Sequence, residues 1–400
     1  MKKITFLLLG IILLGLTLGC QSKKNNQEVS CSNCGIFPDK IVIGSSLALT
    51  GHAGYLGTQF LKGSLAYLKK INNQGGIFGR KVVLRYYDDG YDPPRCLYNT
   101  QRLIIKDKVF ALFDYVGTPT TVKVLPFIQE AQITLMGMFT GANRLRKPFN
   151  PYLINIRPSY YAETKEAVRH LVEDLHLTKI AIFYQYDAYG FDGLTGTELA
   201  LGKYNLEPVA RASYVRGTLD VETAWQKIWA AEPEAIVMIG TYNPCAKFMT
   251  LTAQKGLKAI FYALSFVGAN ELAKKVQGLN LPVVMSQVVP PPTSIDPNDQ
   301  DGYLYLLHKY FPKSSPSFVG LEGFINAKVL AEGLKRSGPQ INRQKFLKAI
   351  YSLHAFDLGY GIKINFGPKD NQGLDKIYFT YLRKGKFRLI TNWNEDKLLP

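Results

Sequence analysis

From Ile41 onward, short apolar runs alternate with amphipathic stretches of helical spacing, and this alternation limits the fold more than any other feature. Ile41-Val42-Ile43-Gly44, Val82-Val83-Leu84, Phe110-Ala111-Leu112-Phe113 and Ile133-Thr134-Leu135-Met136 read as buried strands. Residues 60–71, 95–105 and 120–130 between them place apolar side chains three and four positions apart, as helices do. Strands separated by helices call for a mainly parallel sheet with right-handed crossovers and helices on both faces. A second series follows Asn155-Ile156-Arg157-Pro158, with strands at 180–183, 235–239 and 259–262 and helices at 163–175, 193–203, 221–231 and 244–255. The fold class expected is therefore α/β, with two doubly wound, Rossmann-like lobes joined by a hinge.

Three consecutive prolines in Val288-Val289-Pro290-Pro291-Pro292 preclude both helix and sheet interior, so this run reads as a segment crossing between lobes. Helical spacing resumes at 303–310 and 320–334. The tail alternates like a hairpin, with strands at 376–382 and 387–390 around Lys384-Gly385-Lys386.

The head of the chain is different in kind. Lys2 and Lys3 precede a nearly continuous apolar run from Ile4 to Leu18, which is short for a membrane span and reads as an export signal over residues 1–20. Leu16-Thr17-Leu18-Gly19-Cys20 resembles a bacterial lipobox, with Thr17 where that motif usually has Leu, and makes Cys20 the expected lipidation site. Polar residues such as Gln21-Ser22-Lys23-Lys24-Asn25-Asn26-Gln27 then have nothing to bury, and 21–38 is expected to be a flexible tether. The other cysteines are Cys31, Cys34, Cys96 and Cys245. In an exported protein they allow three pairings, with Cys31 and Cys34 either a local bridge or two inert thiols, and Cys245 a small buried residue.

A net charge of +17 raises the question of nucleic acid, but export and the lack of an arginine-rich helix or aromatic-basic module argue against it. A basic surface near anionic lipid is the simpler reading, and attraction of anionic solutes the sharper one. Catalysis is not expected. The five histidines, His52, His170, His176, His308 and His354, show no metal-ligand spacing, and no nucleophile elbow, Walker loop or dinucleotide fingerprint is present. No cofactor or metal is expected.

In open α/β sheets, ligands bind beyond the carboxyl ends of the strands. The loops at those ends are rich in glycine and hydroxyls: 46–51 with Tyr55 beyond it, Gly117-Thr118-Pro119-Thr120-Thr121, and Phe139-Thr140-Gly141-Ala142. Free N–H groups and hydroxyls at a helix start suit a carboxylate, although Thr118 or Thr120 could equally serve as a helix cap. The second series offers Asp187-Ala188-Tyr189-Gly190, Gly240-Thr241-Tyr242-Asn243 and Ser265-Phe266-Val267-Gly268. Its tyrosines can wall an apolar ligand while presenting a hydroxyl, or simply pack under a loop.

One segment is more specific. Ile71-Asn72-Asn73-Gln74-Gly75-Gly76-Ile77-Phe78-Gly79-Arg80 ends a helix on paired glycines, then leads through Val83-Leu84 to Asp88-Asp89-Gly90-Tyr91-Asp92-Pro93. With Ala188-Tyr189-Gly190 and Ala253-Gln254-Lys255-Gly256-Leu257, it resembles the Leu/Ile/Val-binding-protein family of solute receptors, the type I periplasmic binding fold, over roughly residues 39–382.

The resemblance implies lobes discontinuous in sequence, 39–157 with 288–370 and 158–287 with 371–396. It implies a monomer, held to a membrane through the N-terminal lipid, that closes on an amino acid or a related carboxylate or amide and delivers it to an ABC permease. A sensory receptor that signals to a membrane partner without import is the alternative. Carried over residue by residue, Gly117 and Thr118 hold the ligand carboxylate, Phe139, Thr140 and Gly141 form the companion loop, and Tyr55, Tyr189 and Tyr242 form the aromatic wall. Ser265 stands where amino-acid-binding members place the acid for the ligand's ammonium, leaving Asp187 or Glu322 as possible substitutes. Tyr91 and Val116 occupy the approximate positions of the family's usual first-lobe disulfide.

Overall fold

A computed structural model describes residue 31 and residues 33–393. The export signal, Cys20 and most of the expected tether lie outside them, as do 394–396 of the tail. The first run of elements is β1 (Lys40–Leu47), α1 (Gly54–Asn73), β2 (Lys81–Asp88), α2 (Pro93–Gln101), β3 (Leu112–Phe113), α3 (Thr118–Ala131), β4 (Leu135–Met136) and β5 (Leu153–Ile154). Its strands form a five-stranded parallel sheet in the order β2-β1-β3-β4-β5.

The second run is α4 (Tyr160–Arg169), β6 (Ile180–Gln185), α5 (Ala188–Gly202), β7 (Ala210–Tyr214), α6 (Glu222–Trp229), β8 (Ala235–Ile239), α7 (Tyr242–Lys255), β9 (Ile260–Ala263), α8 (Ala269–Lys275) and β10 (Val283–Gln287). Then come α9 (Tyr303–Tyr310), α10 (Phe318–Arg336), α11 (Arg343–Tyr351), the small pair β11 (Phe356–Gly359) and β12 (Ile362–Ile364), and the hairpin β13 (Tyr378–Arg383) and β14 (Lys386–Leu389). The second sheet runs β14-β13-β10-β9-β8-β6-β7, parallel except for the hairpin, which adds antiparallel to β10.

The late helices return to the first sheet's side. α10 lies so close along α1 that a Cβ at Gly63 would fall 1.8 Å from the Gly320 carbonyl oxygen. Arg343 at the start of α11 donates to the carbonyls of Val109 and Phe110 just before β3. Three segments cross between the sheets, at 155–159, 288–302 and 365–377. Two of them are stitched together: Asn155 donates its N–H to Asn371, and Gly373 donates back to Asn155. Arg146, buried, clamps the same place by donating to Gln372 and to the carbonyls of Ala142, Arg157 and Pro158.

Several elements differ from the sequence reading. β2 is an edge strand: Val82 is buried, but Val83 on the opposite face is 39% exposed. Of 110–113 and 133–136, only the last two residues of each pair as strand. The helix expected through residue 105 ends at Gln101 and continues as a wider π turn. β7 and β10 escaped the pattern reading, β7 because Ala210, Arg211 and Ser213 do not read as an apolar run. The tether is shorter than expected, since Ile36 bridges Ile41 and Val42 donates to the Gly35 carbonyl. Cys31 and Cys34 are disulfide-bonded, whereas Cys96 and Cys245 are buried free thiols. No described helix is long and apolar enough to cross a membrane.

Candidate functional site

Strand ends from both sheets converge on one aromatic cluster. Gly117, at φ 96°, turns the chain from β3 into α3, and a Cβ there would lie 2.0 Å from the Tyr91 ring, so glycine lets the tyrosine lie against the backbone. The hydroxyls of Thr120 and Thr121 fold back onto the Gly117 carbonyl, which spends them on the helix start. Thr118 and Thr140 bond to each other at 2.7 Å, joining the two loops expected to face a ligand. Gly141 lies under Tyr160, whose N–H it accepts at 2.7 Å.

Phe266, from the loop after β9, sits in the middle. Its ring centroid lies 4.7 Å from Tyr189, 5.3 Å from Phe139 and 5.8 Å from Tyr91, and Tyr160 stacks obliquely on Tyr189 at 5.1 Å. Tyr91, Phe139 and Phe266 thus bring both lobes into contact through aromatic faces. Burial pushes the phenols of Tyr91 and Tyr189 well above 10. Two polar ties also cross the cleft. Arg216 donates to the Tyr91 carbonyl at 2.6 Å, and the Asn143 N–H donates to Asp192 at 3.0 Å. Burial lifts Asp192 to about 6.

Beside the aromatic cluster lies a buried charged network. Arg157, on the first crossing segment, is within 3.3 Å of Glu163 and 3.6 Å of Glu322, and it also contacts the Ser265 hydroxyl. Its guanidinium sits 4.9 Å from the centre of the Phe139 ring and 5.7 Å from that of Tyr160. Glu163 accepts from the Ser265 hydroxyl and N–H, both at 3.0 Å, and from Ser286 at 2.5 Å. Glu322 is buried on α10, and desolvation raises it to about 7 despite Arg157. Among the described residues, polar atoms here without a hydrogen-bond partner are the hydroxyls of Tyr91, Tyr160 and Thr241, His52 Nε2 beside Tyr91, Arg157 Nε and Nη1, and Glu322 Oε1, the last two facing each other across the 3.6 Å ion pair.

The structure therefore brings together Gly117, Thr118, Phe139, Thr140, Gly141, Tyr189 and Ser265. It sets Tyr55 and Tyr242 apart, edge to face at 6.2 Å, on one side of the cleft. Tyr55 there lines a cavity of about 570 Å³ that is ringed by Lys62, Lys274, Lys313 and Lys386. Ser265 does not stand alone in place of an acid, because Glu163 backs it. Asp187 is committed to capping α5, accepting from the N–H groups of Tyr189 and Gly190 and from Gln185. Sequence reasoning missed Tyr91, Arg157, Tyr160, Glu163 and Phe266 as site residues. An arginine and a glutamate six residues apart in an otherwise apolar crossing region were the available signal.

The family model for periplasmic binding proteins matches residues 40–386. A solved structure of a possible leucine/isoleucine/valine-binding protein from Rhodopirellula baltica superposes with a TM-score of 0.84 at 31% identity, covering 89% of this chain and 97% of that one. The amino acid binding protein of Pseudomonas aeruginosa is 24% identical over 60% of this chain, and that match spans 64% of the relative, just under two thirds of its length. The Leu/Ile/Val-binding protein homolog 1 of Brucella abortus is 22% identical over 81% of this chain and 86% of its own.

Proposed function

The chain belongs to the periplasmic binding protein family, whose members bind solutes and are not enzymes, and on that footing we propose that it captures a small solute by closing its two lobes. The observation that carries this reading is the convergence of strand-end loops from both sheets on Tyr91, Phe139, Tyr189 and Phe266, with the Tyr91 hydroxyl left unpartnered among them. Gly117, Thr118, Phe139, Thr140, Gly141 and Tyr189 form the ligand face, and Tyr55 and Tyr242 guard its edge. Closure supplies the affinity: first-lobe groups meet the solute, and second-lobe aromatics complete the enclosure. The lobes divide as 39–157 with 288–370 and 158–287 with 371–396, a reading supported by α10 packing on α1 and β13 pairing with β10.

An amino acid, or a related carboxylate or amide, is the solute class proposed, and an ABC permease the destination. Lipid on Cys20 would keep the protein at the membrane, supported by the lipobox-like Leu16–Cys20; Cys20→Ala should then release it into the soluble fraction, and continued membrane association would refute the anchor. The test of capture is a thermal-shift screen of the full chain in detergent against amino acids, aromatic and aliphatic carboxylates, amides and urea. A ligand of the native state raises the melting temperature with the logarithm of its excess over Kd. At 100 Kd the stabilisation is about 2.7 kcal/mol, and a Tyr189→Ala protein should not respond. Silence across the panel sinks the proposal.

A further inference from the structure

Outside the aromatic centre, the cavity of about 570 Å³ beside Tyr55 is walled by elements of both sheets. Lys62 comes from α1 and Lys313 from the loop before α10, and α1 packs along α10 on the first sheet's side. Lys274 comes from α8 and Lys386 from β14 of the second sheet. Pro291 and Pro292 of the crossing segment also line it.

We propose that this cavity is a second binding site, one that takes a small, multiply charged oxyanion and bridges the two lobes through it. The site goes beyond solute capture and does not depend on which solute the cleft takes. No aspartate or glutamate lines the cavity. Glu271 on α8 offsets Lys274, at 2.7 Å. Lys62, Lys313 and Lys386 have no ion-pair partner among the described residues, so their positive charges converge uncompensated.

A concave site walled by one sign of charge focuses its field and concentrates counter-ions, which lysines scattered over an open surface do not. Ammonium groups are compact point charges on flexible stems, and no arginine lines the cavity. The site therefore asks for negative charge and a fitting size rather than for a planar partner, and phosphate and carboxylate groups serve alike. Gln59 and Ser314 add polar side chains to the wall. Because two lysines stand on each side, the anion meets all four only while the lobes hold this arrangement. Its binding and lobe closure then favour each other.

Calorimetric titration of the full chain in nonionic detergent with pyrophosphate and with citrate tests this, at low ionic strength so that screening does not mask the site. At least one of the two should bind saturably with one-to-one stoichiometry, and acetate at the same concentration should not. Lys62→Gln with Lys313→Gln, and separately Lys274→Gln with Lys386→Gln, should each weaken that binding about tenfold or more. Lys203→Gln with Lys227→Gln removes the same charge from exposed positions elsewhere and should change it less than about twofold. Equal weakening by this control pair would reduce the effect to net charge and overturn the proposal. Weakening by only one of the two cavity pairs would overturn the bridging, and a lack of saturable binding sinks the site altogether. None of these outcomes decides solute capture, which the thermal-shift panel and Tyr189→Ala test by themselves.

Discussion

At the centre of the cleft Phe266 is wedged among Tyr91, Phe139 and Tyr189, and Arg157 and Glu163 pair out of water. At its edge Tyr55 and Tyr242 meet beside a cavity of about 570 Å³, where the exposed Lys274 pairs with the partly buried Glu271. Both regions grow from loops at strand ends, yet the centre is sealed while the edge opens on the lysine-ringed cavity. The difference teaches that position at a strand end nominates a residue for the cleft, while depth decides what its chemistry is worth. A charge pair that is held from water leaves a costly residue when one partner is lost; a solvated pair leaves almost none.

The largest break of this contrast should come from the ion pairs. Glu163→Leu removes one of the two carboxylates facing Arg157 and the acceptor of Ser265 and Ser286, and should cost about 3–5 kcal/mol of unfolding free energy. The matching edge change, Glu271→Leu, should stay within about 0.5 kcal/mol. Urea denaturation of both variants measures this, and equal losses would erase the distinction. Next, Gly117→Ala must place a methyl in the Tyr91 ring at a left-handed φ, and should cost about 2–4 kcal/mol. Gly385→Ala at the edge, with φ 73° and nothing within 4 Å of the new Cβ, should cost only about 1 kcal/mol. A small loss at Gly117 would mean that the cleft loops yield readily.

The smallest effect concerns protonation. Burial raises Glu322 from 4.5 to about 7, with Glu163 adding to the shift and Arg157 and Arg146 opposing it. A carboxyl whose folded pKa is raised holds its proton more tightly when folded, so its contribution is complete below about 4.5 and declines as pH rises toward about 7. Relative to Glu322→Gln, the wild-type folding equilibrium should therefore weaken roughly tenfold to a hundredfold across that window. Parallel profiles for the two proteins would show that Arg157 compensates Glu322 fully.

The same contrast separates what could be read in the chain from what could not. Periodicity was legible at β8, which is covered on both faces, missed the equally buried β10, and misled at β2, where an apolar run turned out to lie on an exposed edge. The glycine at 117 was legible because a sharp turn before a helix needs it. Tyr55 and Tyr242 could not be told from Tyr189 because all three are tyrosines near strand ends, and only packing assigns two of them to the edge. Ser265 was readable as a missing acid, but Glu163, 102 residues earlier, was not readable as the acid behind it.

By itself the sequence determined the alternation of strands and helices, the crossing prolines and the clustering of polar loops after strands. These are local consequences of residue period and backbone restriction. Only the tertiary structure decided that Phe266 reaches the centre and that Arg157 faces Glu163, Glu322 and Ser265 at once. Burial and charge pairing are properties of what surrounds a side chain, and in this molecule those surroundings are assembled from residues up to 165 positions apart.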